Sequence, residues 1–180
     1  MLKSEEKRLI KNCLRQDRMA QRMLYEKYKT AMFTCAYRIC NDQELAQDIL
    51  QEAFINVFKY LKSFKGQGTL GSWIKTIVVR TAIKEVKGLH LHVEVSETNG
   101  GQELCFDDTL TGQLLHELVK SLPNKSRVVF TLIEIEGYAH KEVAEMMGVS
   151  TGTTKSQLHY AKQMLKKKLE LRGYEKRKRG

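Results

Sequence analysis

Proline, long apolar runs and paired cysteines are scarce or absent in this 180-residue sequence, and each absence narrows the possible folds. The single proline leaves room for long helices, because proline removes a backbone donor and kinks a helix interior. No apolar run approaches the roughly 20 residues that a membrane-spanning helix needs, so we expect no membrane insertion. Apolar residues still make up 42% of the chain, which argues against wholesale disorder.

The four cysteines form no CxxC pair. Cys35 and Cys40 fall within an apolar helical pattern, where a free thiol behaves as a small hydrophobic side chain. Met1 is followed by charged residues rather than by the apolar core of a signal peptide. These features together predict a protein of the reducing cytoplasm.

Basic residues outnumber acidic ones, and the net charge is +10. The excess lies in two blocks, since residues 88–112 contain no Lys or Arg and carry five acidic residues. Two basic blocks joined by an acidic strip suggest two separate contacts with nucleic acid. On charge alone, a basic surface that is merely solvated explains the composition equally well.

Apolar residues recur at helical spacing through most of the chain, which predicts an all-α fold. We expect two helical domains, over 1–87 and 113–180, joined by a flexible acidic linker over 88–112. The linker has no helical period, although the alternating residues 90–95 would suit a short strand.

Local signals divide the N-terminal domain into helices. Asn41 and Asp42 interrupt the apolar period and separate two helices. After a glycine-rich turn, Ser72 is the expected N-cap of a third helix that runs to about Lys87.

The strongest local signal is a helix-turn-helix pattern near the C-terminus. Ala144 precedes Gly148 by four residues, and Ser150 can cap the following helix. A small residue lets two helices approach, glycine makes the turn, and the capped helix enters the major groove of DNA. The inward stripe of this second helix is Leu158, Ala161, Leu165 and Leu169. An ordinary helical hairpin with a solvated face is the alternative.

Other motifs carry little weight. Residues 66–71 spell G-x-G-x-x-G, but a dinucleotide site needs a preceding strand, whereas a helix is expected here. His90, His92 and Cys105 have a spacing that fits no standard zinc site. The chain has no Ser/His/Asp pattern or nucleophile elbow. We expect no enzyme activity, no metal and no cofactor.

Several motifs resemble those of one family, the extracytoplasmic-function (ECF) sigma factors. Residues 150–161 resemble its recognition helix, S-x-G-T-V-K-S-R-L-x-R-A, and 122–130 resemble L-P-x-x-x-R-x-V-F. Residues 24–28 resemble L-Y-x-x-Y, 46–54 resemble A-E-D-[IL]-x-Q-E-x-F, and 64–74 resemble the stretch that ends in F-x-x-W-L. The motifs follow the order of the family and span nearly the whole chain.

The resemblance implies a chain that binds core RNA polymerase, promoter DNA and an anti-sigma factor. The residues implied in polymerase binding are Asp48, Gln51 and Glu52. Those implied in minus-ten recognition, including capture of a flipped base, are Phe64, Lys65, Lys75, Arg80 and Lys84. Those implied in minus-thirty-five recognition are Thr153, Lys155, Ser156, Gln157, His159 and Lys162.

The chain departs from the family pattern at a few of these positions. Arg80 and Lys84 stand where the family often has Asn and Asp, so we expect them to contact phosphate. Gln157 replaces the usual Arg, and Gln favours adenine where Arg favours guanine. Thr154 replaces an apolar Val, which we expect to weaken the packing between helices.

Two other function classes remain as alternatives. The first is a helix-turn-helix regulator that binds an operator without polymerase, although such a protein needs no polymerase-docking helix at 46–54. The second is an accessory protein of RNA binding or cleavage, which the missing catalytic constellation disfavours.

Overall fold

The structure, a computed structural model, describes residues 4–89 and 112–171. These residues contain helices and no strand, and they divide into an N-terminal and a C-terminal compact unit. The helices are α1 Ser4–Leu14, α2 Arg18–Cys40, α3 Gln43–Tyr60, α4 Leu70–Leu89, α5 Gly112–Lys120, α6 Asn124–Phe130, α7 His140–Met147 and α8 Thr151–Glu170. A 3-10 turn, Leu61–Ser63, follows α3, and a π-helical turn, Thr131–Ile135, follows α6.

The predicted all-α fold with two helical units is therefore confirmed. Nearly all of the linker predicted over 88–112 lies outside the described residues, as do the strand-like segment 90–95 and the zinc candidates His90, His92 and Cys105. Within the described residues, no cluster of three metal-ligating side chains is present. None of the helices described is both long and apolar enough to cross a membrane.

Helices α2, α3 and α4 pack against one another around the core of the N-terminal unit. Fully buried side chains from all three helices fill this core, among them Leu24, Ile39, Ile49, Val57, Ile74 and Val78. Burying each such side chain stabilises the fold by about 1.5–3 kcal/mol before entropy is counted. The unit therefore holds α3 and α4 side by side, with their outer faces free to bind.

The predicted break at Asn41 and Asp42 is confirmed. Asn41 adopts the left-handed conformation, with φ 58°, and ends α2. The carboxylate of Asp42 accepts a hydrogen bond of 2.8 Å from the backbone N–H of Leu45 and so caps α3. Asn suits the first position because it tolerates the left-handed conformation, and Asp suits the second because its carboxylate accepts a bond from a free backbone N–H.

Helix α4 begins earlier than the sequence predicted. The hydroxyl of Thr69, rather than that of Ser72, accepts the capping bond, which comes from the backbone N–H of Ser72 at 3.1 Å. Ser72 lies inside the first turn and donates its own hydroxyl to the Thr69 carbonyl at 2.8 Å. The prediction of Ser72 as the N-cap was wrong. Two hydroxyl residues can cap this helix, and Thr69, within the glycine-rich turn, comes earlier in the chain and accepts the bond.

The C-terminal unit contains the predicted helix-turn-helix. Gly148 adopts the left-handed conformation, with φ 61°, and its N–H reaches the carbonyls of Ala144 and Glu145 at the end of α7. The Ser150 hydroxyl then accepts a bond of 3.0 Å from the N–H of Thr153 and caps α8. The spacing of these three turn residues was sufficient to predict the motif.

Thr154 does not leave a defect between α7 and α8. Its side chain is fully buried, and its hydroxyl donates to the Thr151 carbonyl at 2.9 Å. The same oxygen lies 3.0 Å from Nδ1 of His140, the first residue of α7. A hydrogen bond between the two helices therefore compensates for the apolar contact that the family's Val would make.

Candidate polymerase-docking and nucleic-acid surfaces

One face of α3 carries the three residues predicted to bind polymerase. Asp48 and Gln51 are exposed, and the side chain of Glu52 is 41% exposed. Their spacing places all three on one side of the helix, opposite the buried side chains Ala46, Ile49, Ala53 and Val57. The structure thus brings these three residues together on the outer face of α3.

An ion pair joins this face to α4. Nζ of Lys84 lies 3.1 Å from Oε1 of Glu52 and 3.5 Å from Oε1 of Glu85. The hydrogen bond to Glu52, followed by the charges of both carboxylates, raises the pKa of the Lys84 ammonium. A residue predicted to contact DNA is therefore paired with one predicted to contact polymerase.

A cavity opens where the 3-10 turn leads into α4. Its volume is about 320 Å³, near the lower end of the range for small-molecule sites. The lining residues are Ser63, Phe64, Lys65, Gln67, Thr69, Ser72, Trp73 and Thr76. The rings of Phe64 and Trp73 lie 5.6 Å apart between centroids, tilted by 46°. Two aromatic walls beside hydroxyl and amide groups and one ammonium group suit a flat polar ring such as a nucleobase.

A stripe of basic side chains runs along α4 from the cavity. Trp73, Thr76, Arg80, Lys84 and Lys87 follow one another at spacings of three or four residues, so they lie on one side of the helix. Arg80, Lys84 and Lys87 are exposed. If a single DNA strand placed one base in the cavity, its phosphates would lie beside these cations.

Lys75 does not belong to this stripe. It lies five residues before Arg80, which corresponds to about 140° around the helix, and its side chain is half-buried. Of the residues predicted for the minus-ten element, the structure therefore brings together Phe64 and Lys65 at the cavity and Arg80 and Lys84 on the stripe.

The six residues predicted for the minus-thirty-five element differ in their surroundings. Lys155 is exposed, whereas Thr153, Ser156, Gln157, His159 and Lys162 are only partly exposed. Thr151 and Gly152 are also exposed, and they lie beside Lys155 at the start of α8, the part of a recognition helix that contacts bases. Thr151 and Gly152 are not among the residues predicted from the sequence, although their place directly after the Ser150 cap is a signal for them.

Two of the residues predicted to contact DNA form bonds to other residues of the C-terminal unit. The Lys162 ammonium lies 2.9 Å from a carboxylate oxygen of Glu134, and its side chain is only 18% exposed. The side-chain carbonyl of Gln157 accepts a hydrogen bond of 2.7 Å from the hydroxyl of Ser126 in α6. Gln157 lies about 160° from Lys155 around α8, so the two side chains leave the helix on nearly opposite sides. Their roles in DNA binding stay predictions.

Both units match a known protein family. Residues 24–90, which include most of α2 and all of α3 and α4, match the family described as Sigma-70 region 2. Residues 112–165, from α5 into α8, match the family described as Sigma-70, region 4. The chain is thus an RNA polymerase sigma factor by both of its units.

Relatives along the whole chain narrow this class. An RNA polymerase sigma-H factor of Pseudomonas aeruginosa is 24% identical over 186 residues, covering 94% of this chain and 96% of the relative. The ECF RNA polymerase sigma factor SigW of Bacillus subtilis is 25% identical over 179 residues, covering 91% of this chain and 96% of the relative. The chain belongs to the ECF family of RNA polymerase sigma factors.

Solved structures share the fold. The structure of CnrH in complex with the cytosolic domain of CnrY superposes with a TM-score of 0.53 at 17% identity, covering 91% of this chain and 96% of that one. The sigma factor RpoE in complex with the anti-sigma factor NepR from Bartonella quintana gives 0.51 at 20% identity, covering 83% and 96%. At such identities the likeness extends to the fold alone.

Proposed function

We infer that this chain binds core RNA polymerase and directs it to promoters to begin transcription. The observation that carries this inference is the order of the two family matches, region 2 followed by region 4, over the two helical units. The chain supplies promoter recognition, while the catalysis of RNA synthesis belongs to the polymerase. Asp48, Gln51 and Glu52 form the polymerase-docking surface in this proposal.

The cavity and the basic stripe of α4 recognise the minus-ten element in this proposal. Phe64 and Trp73 hold an unpaired base, since base–aromatic stacking contributes about 1–3 kcal/mol and tolerates any base. Lys65 lines the same cavity and is exposed to solvent, so its ammonium can reach a phosphate of the bound DNA. Arg80 and Lys84 contact the phosphates, which positions the strand without reading its sequence.

Helix α8 recognises the minus-thirty-five element. Its first turn, with Thr151, Gly152 and Lys155 exposed, enters the major groove. Polar side chains at such positions bind base edges and phosphates. Ser156 and His159, partly exposed on the same half of the helix, flank this contact.

We also propose that an anti-sigma factor regulates the chain. Two proteins that share its fold are described as complexes, one with the cytosolic domain of CnrY and one with the anti-sigma factor NepR. A partner that covers the docking face of α3 would compete directly with polymerase.

Transcription with purified components tests the main proposal. Core polymerase with this chain should start specific transcripts on a genomic promoter library, and either component alone should not. Lys155→Ala should lower every transcript, because a lost phosphate contact weakens all sites. Lys167→Ala is the matched control, since this exposed lysine lies about 18 Å further along α8.

The alternative function predicts a different result. If the chain binds duplex operators with full affinity alone, and core polymerase gains no specific initiation from it, the chain acts as an autonomous helix-turn-helix regulator.

A further inference from the structure

An apolar side chain lies in the middle of the polar face of α3. Ile55 is 68% exposed, and among the large hydrophobic side chains whose exposure the structure describes only Leu171, just past the end of α8, is more exposed. At about 100° per residue, Ile55 lies about 20° from Asp48, with Gln51 and Glu52 about 40° and 60° away on opposite sides. The three polar residues assigned to polymerase docking therefore precede an isoleucine on the same face, and the exposed Lys59 follows it.

The fold of the N-terminal unit gives Ile55 no packing role. The opposite side of α3 supplies the core with Ala46, Ile49, Leu50, Ala53, Phe54 and Val57. A polar side chain at position 55 would leave that core intact. An apolar centre inside a polar ring is instead the usual anatomy of a protein interface, where the ring excludes water from an anchor that fills a pocket.

The charges of this face indicate which kind of partner covers it. Glu44, Asp48 and Glu52 lie along one side of α3 in a chain of net charge +10. Carboxylates repel phosphate, so this face suits a basic protein surface rather than nucleic acid. The ammonium of Lys84, already 3.1 Å from Glu52, is an example of the group that such a partner would present.

We propose that Ile55 is the apolar anchor by which α3 binds core RNA polymerase. Its side chain enters an apolar pocket of the polymerase, and basic groups around that pocket pair with Asp48 and Glu52. This inference rests on the proposed function and adds a residue that the family motifs left unassigned.

The affinity of the full-length chain for its own core polymerase tests the inference. Ile55→Ala should weaken binding by at least about tenfold, as expected for a central anchor. Ile55→Leu should keep most of the affinity because it keeps the apolar volume. The melting temperature of Ile55→Ala should not fall below that of the wild type, since the side chain is exposed and alanine favours helix. Met19→Ala, at a site 66% exposed on α2, is the control and should bind normally.

The possible results separate the inference from the function on which it rests. If the wild-type chain binds polymerase and Ile55→Ala binds equally well, the inference is wrong and the proposed function stands. If the wild-type chain does not bind polymerase, both are overturned. If Ile55→Ala only abolishes self-association or anti-sigma binding, the face belongs to that other partner and the inference is wrong.

Discussion

The hydroxyl of Ser126 donates a hydrogen bond to the side-chain carbonyl of Gln157, 2.7 Å away, and so joins α6 to α8. Ser126 is only 1% exposed, so the bond lies at the base of the recognition helix rather than on its outer surface. Reading adenine would require that same carbonyl oxygen to accept from the base. The carbonyl oxygen can accept two bonds, but holding the amide against Ser126 competes with turning it towards a base.

This competition gives the first prediction. Ser126→Ala and Gln157→Ala should each lower the free energy of unfolding of the C-terminal unit by about 1–3 kcal/mol, because each leaves a polar partner without its bond. Gln157→Arg, assayed on a promoter library, should leave the minus-thirty-five base preference unchanged. A shift from adenine to guanine at one position, by roughly 1–3 kcal/mol, would instead show that Gln157 reads a base.

The second prediction concerns the aromatic cavity. Phe64→Ala removes one ring of the pair and should weaken binding of single-stranded minus-ten DNA by the complete polymerase–sigma assembly about tenfold, in keeping with the loss of one stacking contact. Fluorescence anisotropy with a labelled non-template strand measures the effect. Tyr60→Ala is the control, because this aromatic residue is 49% exposed and does not line the cavity. Equal losses in the two variants would count against base capture.

The third prediction compares the two cations of the stripe on α4. Arg80→Ala should weaken DNA binding equally across minus-ten sequences. It should also reduce the slope of the logarithm of the binding constant against the logarithm of salt concentration by about one unit. Lys84→Ala should change the slope less, because the ammonium must first separate from Glu52. In a Glu52→Gln background the effect of Lys84→Ala should move towards that of Arg80→Ala, with Glu85 left as the one carboxylate near Lys84 among the ion pairs described.

Titrations of DNA binding against salt, with the same chain free of polymerase, provide the measurement. Glu44→Gln, which removes an exposed acid two turns before Glu52 on the same side of α3, controls for the change in net charge. If Lys84→Ala matches Arg80→Ala before Glu52 is changed, the ion pair does not restrain Lys84.

The fourth prediction concerns alkaline pH. The phenol of Tyr28 donates to Glu6 at 3.1 Å, and burial followed by this carboxylate raises the pKa of Tyr28 to about 12. The folded state thus holds the phenolic proton more tightly than the unfolded state, whose pKa is about 10. The stabilising contribution is fully present below pH 10 and is lost as pH rises towards 12.

Tyr28→Phe tests this dependence. The difference in stability between wild type and Tyr28→Phe, from urea unfolding at several pH values, should stay constant below about pH 10 and shrink above it. The comparison cancels the titration of the lysines, which both chains share. A difference that stays constant up to pH 12 would contradict the role of the Tyr28–Glu6 bond.

The sequence predicted the elements that depend on neighbouring residues. Asn41 and Gly148 each end a helix in the left-handed conformation, and the side chains of Asp42 and Ser150 each cap the helix that follows. Each of these signals is complete within a few residues. That is why the helices and the helix-turn-helix could be predicted without any tertiary information.

Pairings between distant positions could not be predicted in this way. Glu52 and Lys84 are 32 residues apart, and Ser126 and Gln157 are 31 apart. Several long polar side chains could meet across a helix interface. The pair that forms depends on how each helix is rotated about its axis and on side-chain rotamers, and no local pattern specifies these. Charge and hydrogen-bonding capacity identified the residues of the candidate surfaces, but not their partners.

The bond between Thr154 and His140 fixes the tautomer of the imidazole. A threonine hydroxyl has one hydrogen, and here it points to the Thr151 carbonyl, which can only accept. Nδ1 of His140 must therefore carry the proton in the contact at 3.0 Å. In the neutral ring, Nε2 is then left with its lone pair as the acceptor. A buried hydroxyl in α8 thereby decides which imidazole nitrogen of the preceding helix can accept a hydrogen bond.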